Sequence, residues 1–123
     1  MNNKDKLYNY RAYVKNVYDG DTITVDISLG FHVTMTDIKV RLIGIDTPEI
    51  RTKDLNEKKE GYKAKNRLLE LVENKEIYIK VLKKGKFGRW VSKIYLTEND
   101  CLEDNTINQQ LIDEGLAKPF MID

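Results

Sequence analysis

The sequence predicts an α+β fold that is mainly β, with five short strands, one long helix and one short helix. Strand-like patterns both precede and follow a single amphipathic stretch, and 123 residues suffice for one domain. A parallel sheet would need a helical crossover between every pair of strands, which this order of elements lacks. The order therefore favours a five-stranded OB-type barrel.

Five segments carry strand patterns. The clearest alternates apolar and polar residues from Ile23 to Leu29, a period of two that indicates a half-buried strand. Asp19-Gly20 before it is a strong hairpin-turn signal, and Pro48 ends the third strand because proline cannot donate to the ladder. The predicted strands are 10–18, 23–29, 37–45, 76–82 and 89–96. The connection between the second and third strands is then a long loop.

Two stretches predict helices. Between residues 56 and 73, apolar residues recur at three- and four-residue spacing, which indicates an amphipathic helix. Asn105 is a candidate N-cap for a short helix that continues to Glu114 and stops at Gly115. We expect residues 1–7 to form a disordered tail and residues 8–123 to form the single domain.

The charge balance excludes a protein that binds nucleic acid through bulk positive charge, because 21 basic and 20 acidic residues give a net charge of +1. The charges are nevertheless unevenly placed: residues 83–93 contain five basic and no acidic residues, and residues 98–114 contain six acidic and no basic ones. These segments could simply be two solvated loops. The local placement of charge must therefore decide between function classes.

The cysteine count and the hydropathy of the sequence limit the kinds of site and the cellular locations that it allows. The single cysteine, Cys101, excludes an internal disulfide framework and a four-thiolate metal site. No apolar run reaches the ~18 residues that suggest a membrane span, and residues 1–6 do not resemble a signal peptide. We expect a cytoplasmic protein without a membrane partner, or a secreted one if a signal has been removed.

Three short motifs carry candidate chemistry. The first, Asp-Gly-Asp-Thr at residues 19–22, reads as a hairpin turn, but a turn needs only one aspartate. Asp21 is thus available as a hard oxygen ligand for Ca²⁺ or Mg²⁺. The third motif, Lys-Phe-Gly-Arg at residues 86–89, is either a basic turn or a means of placing Arg89 on a phosphate through two parallel hydrogen bonds.

The second motif, Arg-Leu-Ile-Gly-Ile-Asp-Thr-Pro-Glu at residues 41–49, is the most specific stretch. Arg41 lies in an apolar strand and needs an anionic partner or a route to the barrel rim. Asp46 and Glu49 emerge together just past the predicted strand end. Two carboxylates beside a guanidinium are typical of a phosphate-and-metal site.

Taken in order, these motifs resemble the staphylococcal-nuclease-like, or thermonuclease, family, from about Tyr10 to Lys118. The resemblance implies Ca²⁺ as the cofactor. Its ligands would be the carboxylates of Asp21 and Asp46 and the backbone carbonyl of Thr47. Asp19 matches an acidic position that supports the metal site.

The resemblance also assigns the remaining roles. Glu49 would position or deprotonate the attacking water, and Arg41 and Arg89 would hold the scissile phosphate. Lys86 and Phe87 match positions that contact the bound nucleotide. These residue types suit phosphodiester hydrolysis, because cationic groups stabilise the negative charge that develops as water attacks.

The implied function is a monomeric Ca²⁺-dependent endo- or exonuclease that hydrolyses DNA and RNA at the 5′ P–O bond and leaves 3′-phosphate ends. One alternative is a catalytically weak or silent OB-fold module that binds single-stranded nucleic acid or a partner protein. Another is a protein that binds a phosphate ligand or small nucleotide without turnover. The complete set of acidic and arginine positions favours the enzyme.

Three departures from the family pattern bear on substrate binding. Phe87 stands where the family often has tyrosine, so a hydroxyl that could bind phosphate is missing. Residues 119–123 stand where better-known members place base-contacting tyrosines, followed by a C-terminal helix. The connection 29–37 is longer than usual and is expected to flank the site. We expect weaker substrate binding or an altered preference.

Overall fold

A computed structural model of the chain describes residues 8–120. The expected disordered tail at residues 1–7 lies outside the described residues. The described elements are β1 (Asn9–Asp19), β2 (Thr22–Gly30), β3 (Val33–Leu42), β4 (Ile45–Asp46), α1 (Leu55–Val72), β5 (Glu76–Lys84), β6 (Trp90–Tyr95), α2 (Glu98–Glu103), α3 (Ile107–Asp113) and β7 (Lys118–Pro119). A 3₁₀ turn, Lys86–Gly88, joins β5 to β6.

Five strands close into a barrel in the order β1-β2-β3-β6-β5, and β4 pairs with β7 outside it. Neighbouring barrel strands are antiparallel except β3 and β6, which are parallel. This architecture confirms the mainly β, five-stranded OB-type barrel that the sequence predicts. The β2–β3 register pairs Thr22 with Arg41, so the first and second motifs lie side by side.

The core fills the barrel and extends under α1. Residues at alternating positions along the barrel strands are fully buried, among them Val14, Ile23 and Ile79. Leu68 of α1 belongs to the same core. Burial of this kind stabilises the fold by about 25 cal/mol per Å² of apolar surface removed from water. None of the helices in residues 8–120 combines the length and apolar character that crossing a membrane requires.

The prediction for the third strand was wrong at both ends. β3 begins at Val33, because Phe31 and His32 form a two-residue hairpin turn with φ of 54° and 61°. Such turns require positive φ and usually contain glycine or asparagine, so this pair gives no turn signal. The segment predicted as a long loop is therefore mostly strand. The turn lies at the end of β2 opposite Thr22 and does not flank the site.

At its other end, β3 stops at Leu42 instead of Ile45. Gly44 has φ of 79°, which only glycine adopts without strain, and the chain turns there into β4. Ile43 and Ile45 consequently do not continue the strand face that carries Arg41. The turn brings the Ile45 carbonyl back to the Arg41 guanidinium.

The helices also differ from the predictions. The long helix is confirmed and begins one residue earlier, with Asp54 as its N-cap. The short C-terminal helix is capped by Thr106 and not by Asn105, because the Thr106 hydroxyl accepts the Gln109 N–H. The additional helix α2 lies in the acidic segment, where Thr97 caps it. β5 extends to Lys84, so the basic segment begins as strand.

Candidate active site

Asp21 and Arg41 form a buried ion pair on neighbouring strands. Arg41 Nη1 lies 3.4 Å from Asp21 Oδ2, and both side chains are about 10% exposed. Arg41 also donates to the carbonyls of Leu42 and Ile45, at 2.8 Å each. An arginine buried in this way is held in one orientation before any ligand arrives. The anionic partner that the sequence requires for Arg41 is Asp21.

Two threonines complete the hydrogen bonds of Asp21. Thr47 donates its backbone N–H and its hydroxyl to Asp21 Oδ2, at 3.3 and 3.2 Å. Thr22 donates its hydroxyl to Asp21 Oδ1 at 3.1 Å. These bonds connect the start of β2 to the loop after β4, so the first two motifs form one unit.

Asp19 is part of the same acidic group. Its Oδ1 accepts the Asp21 N–H at 3.1 Å, which closes the tight turn before β2. Burial, together with Asp21 and the charge of Glu49, raises the pKa of Asp19 to about 7. Negative charge is thus concentrated at this edge of the barrel, and a cation would relieve the repulsion.

Arg89 immediately precedes β6 and reaches the same network. Its Nη1 donates to the Thr22 hydroxyl at 3.3 Å, so Thr22 connects Arg89 to Asp21. Arg89 Nε is buried and has no hydrogen-bond partner among residues 8–120. A buried N–H on a cationic group that lacks an acceptor is costly and indicates a place for an anionic ligand.

The two arginines line one cavity of about 200 Å³. Phe87 and Phe120 also line it: the Arg89 guanidinium carbon lies 5.9 Å from the Phe87 ring centre, and that of Arg41 lies 6.0 Å from the Phe120 ring centre. Lys86 also lines it. A cavity with cationic and aromatic walls suits a phosphate joined to a planar base. A larger cavity of about 580 Å³, beside Tyr10 and Leu102, contains none of the motif residues.

Phe87 has a strained backbone, with φ of 62° and ψ of 24°. Positive φ is uncommon for a bulky residue and is found at ligand-binding sites more often than elsewhere. The turn leaves Phe87 87% exposed beside the cavity. Its ring is therefore available to a ligand.

The oxygen donors of this region are chemically suited to Ca²⁺, which prefers carboxylates and carbonyls. Asp46 is exposed on β4, and Thr47 follows it, buried beside Asp21. The excess negative charge around Asp19 supports the same ligand. Across residues 8–120, however, no three acidic, histidine or cysteine side chains form a ready-made metal cluster. Both Asp21 oxygens also already accept protein hydrogen bonds.

Sequence reasoning missed two residues of this site. Thr22 was part of the first motif but had no role, and it connects Arg89 to Asp21. Phe120 lies in a segment predicted to have lost its aromatic contacts. β7 pairing with β4 and the Phe120 N–H donated to Gly44 bring its ring to the cavity. This contact depends on the pairing of β4 with β7, which no local sequence pattern predicted.

Comparison with known proteins identifies relatives of this chain. The model for the family described as "Staphylococcal nuclease homologue" matches residues 39–123. An uncharacterized protein of Methanocaldococcus jannaschii is 29% identical over 137 residues, which cover 95% of this chain and 62% of that protein. A thermonuclease of Staphylococcus intermedius is 33% identical over 107 residues, covering 85% of this chain and 56% of that protein.

The chain thus spans about three fifths of the length of these relatives. The matched region contains Arg41, the loop from Asp46 to Glu49, and Arg89. Asp19 and Asp21 lie before it, and the barrel register brings them to Arg41. With the family model matching well over half of the sequence, this chain belongs to the staphylococcal nuclease homologue family.

Proposed function

We propose that the protein is a Ca²⁺-dependent phosphodiesterase that hydrolyses DNA and RNA at the 5′ P–O bond and leaves 3′-phosphate ends. The observation that carries this proposal is the cavity that Arg41 and Arg89 line beside the acidic edge of the barrel. Family membership and the similarity to a thermonuclease support a nucleic-acid substrate.

The two arginines would bind the scissile phosphate. Arg41 is fixed by Asp21 and by two carbonyls, so it loses little side-chain entropy when the phosphate binds. Arg89 offers a buried N–H that has no acceptor among its neighbours. Donors held in place before the reaction stabilise the additional negative charge of the transition state without reorganising.

Glu49 would accept the proton of the attacking water. Its side chain is exposed, and its charge acts on Asp19 in the same acidic group. A carboxylate within reach of a bound water can serve as its general base. The oxygens of Asp21, Asp46 and Thr47 would hold Ca²⁺, which when bound supplies positive charge to the reacting phosphate and its water.

The alternative function is a nucleic-acid-binding module without catalysis. The arrangement of Asp21 favours it, because both carboxylate oxygens are engaged by Arg41 and the two threonines. The lack of a three-carboxylate cluster in the described chain points the same way. Such a module would keep the arginine cavity and bind single strands without cleaving them.

The two functions separate in one experiment. Single- and double-stranded DNA are incubated with the protein in Ca²⁺ or in EGTA, alongside Glu49→Gln and a control, Glu103→Gln, which changes an exposed glutamate of α2. We expect Ca²⁺-dependent degradation by the wild type and the control, and about 100-fold slower degradation by Glu49→Gln. Intact DNA at high protein concentration, with retained binding, would favour the binding module.

A further inference from the structure

We propose that Gly61 of α1 is a positioning residue that sets the place of Glu49, an inference that rests on the proposed function. Glu49 is exposed, so its own side chain has few contacts to hold it. Its position must therefore come from its main chain. α1 supports that main chain at Gly61.

The loop after β4 lies directly against Gly61. A Cβ atom at this position would be 2.7 Å from the Pro48 carbonyl oxygen and 2.9 Å from the Glu49 carbonyl oxygen. It would also be 2.9 Å from Cγ2 of Ile50. Two of these atoms belong to the backbone and cannot turn away, so any larger residue at Gly61 must displace the loop itself.

The same loop is anchored on both sides of Glu49. Before it, Thr47 is bonded to Asp21. After it, Ile50 is buried, and the Arg51 guanidinium lies 4.8 Å from the centre of the Tyr18 ring on β1. A loop held at these points cannot absorb a displacement at Gly61 by flexing elsewhere, so the Glu49 carboxylate moves.

The next turn of the helix supports the other half of the site. A Cβ at Gly20 would be 2.7 Å from Cβ of Ala64 and 2.8 Å from Cγ2 of Thr47. α1 therefore contacts the turn before Asp21 through Ala64 and the loop of Glu49 through Gly61. The helix sets the separation between these two parts of the site.

The first test is Gly61→Ala, with Gly30→Ala as the matched control. Gly30 lies at the far end of β2 with φ of 80° and open space around it, so its substitution strains the backbone without touching the site. We expect Gly61→Ala to lower kcat at least ~30-fold and to change KM less than ~3-fold, since small misplacements of a catalytic group are costly. Gly30→Ala should retain the wild-type kcat.

The second test shows whether Gly61 acts through Glu49. In a Glu49→Gln background, adding Gly61→Ala should lower kcat by less than ~2-fold, because the group it positions has already been lost. A full, multiplicative loss in that background would mean a general structural role and would overturn the inference. An unchanged kcat in Gly61→Ala alone would overturn it as well.

A milder variant covers the case in which Gly61→Ala does not fold. Tyr18→Leu removes the ring beneath Arg51 at an exposed position, so it should fold and lower kcat several-fold. That loss should also disappear in the Glu49→Gln background. If the wild type itself does not cleave DNA, the proposed function fails and this inference fails with it. If the wild type is active and neither variant lowers kcat, only the inference fails.

Discussion

The two ends of the β2–β3 hairpin differ in which side chains they bury: one end buries charged side chains and the other exposes apolar ones. At the end that carries the candidate site, Asp21 and Arg41 are buried and form hydrogen bonds with strand and loop neighbours. At the opposite end, Phe31 is 99% exposed and Val33 is 50% exposed. In the same hairpin, a charged pair is thus inside the protein and a phenylalanine is outside it.

Closure of the barrel explains the difference. β6 pairs with Val40, Arg41 and Leu42 only, so β3 before Val40 pairs with β2 alone. Where the barrel is closed, the loop after β4 and helix α1 pack over the strands and bury whatever residues lie there. At the open end, residues 31–37 are all exposed. Burial is determined by what packs against a strand more than by the hydropathy of its residues.

The largest effect is expected from removing Arg41. Arg41→Ala leaves the Asp21 carboxylate buried without its charge partner, which should lower the free energy of unfolding by roughly 3 kcal/mol. Activity should fall to background because the variant also loses a side chain that would bind the scissile phosphate. Urea denaturation and a DNA-cleavage assay measure the two effects. A change in unfolding free energy below ~1 kcal/mol would show that burial of the ion pair does not distinguish this end of the hairpin from the exposed one.

Replacing Arg89 should affect activity much more than stability. Arg89→Lys removes the fork-shaped guanidinium and its buried Nε–H, and we expect kcat/KM to fall about 100-fold. The unfolding free energy should fall by no more than about 1 kcal/mol, because Nε–H has no partner among residues 8–120 and only the hydrogen bond from Nη1 to the Thr22 hydroxyl is lost. Lys84→Ala is the control for diffuse positive charge and should have a much smaller effect. Equal effects of the two variants would refute a specific phosphate contact.

A matched pair of phenylalanines compares the two ends directly. Phe120→Ala removes a ring beside the arginine cavity, and stacking is worth about 1–3 kcal/mol per base, so KM should rise roughly tenfold. Phe31→Ala removes an equally large ring from the far turn and should leave both kcat and KM unchanged. Steady-state kinetics on a short single-stranded DNA measure both. Similar KM values for the two variants would show that Phe120 does not contact the substrate.

Asp19 predicts a smaller, pH-dependent effect on stability. Burial and the neighbouring carboxylates raise the pKa of Asp19 from its ordinary 3.8 to about 7 in the folded protein, so folding is favoured when Asp19 is protonated. In EGTA, the protein should gain stability as the pH falls from 8 towards 5. Asp19→Asn should remove the repulsion, stabilise the protein at pH 8 by on the order of 1 kcal/mol, and do so less at pH 5. Equal stabilisation at both pH values would contradict this assignment.

Local patterns predicted the parts of the fold that depend on local chemistry. The alternation from Ile23 to Leu29 and the three- and four-residue spacing in α1 report burial directly, so the barrel strands and the long helix were predictable. The turn at Phe31-His32 was not, because neither residue favours positive φ and the hairpin around it imposes that conformation. Asn105 and Thr106 are both good caps, but the Asn105 side chain donates to Asp100 and Thr106 caps the helix.

Some residues of the candidate site could likewise be predicted from the sequence, and others could not. Arg41 was recognisable because a charge in an apolar strand demands a partner, and Asp21 was recognisable as the aspartate that the turn did not require. Phe120 and Gly61 were not recognisable. Their roles depend on β4–β7 pairing and on the path of a loop across α1, which no local pattern encodes.

The most direct test of the proposed chemistry is the identity of the ends produced from a labelled single-stranded oligonucleotide in Ca²⁺. Cleavage at the 5′ P–O bond predicts fragments with 3′-phosphate and 5′-hydroxyl ends, whose formation EGTA abolishes. Fragments with 5′-phosphate ends, or cleavage that persists in EGTA, would contradict a Ca²⁺-dependent nuclease built on Arg41, Glu49 and Arg89.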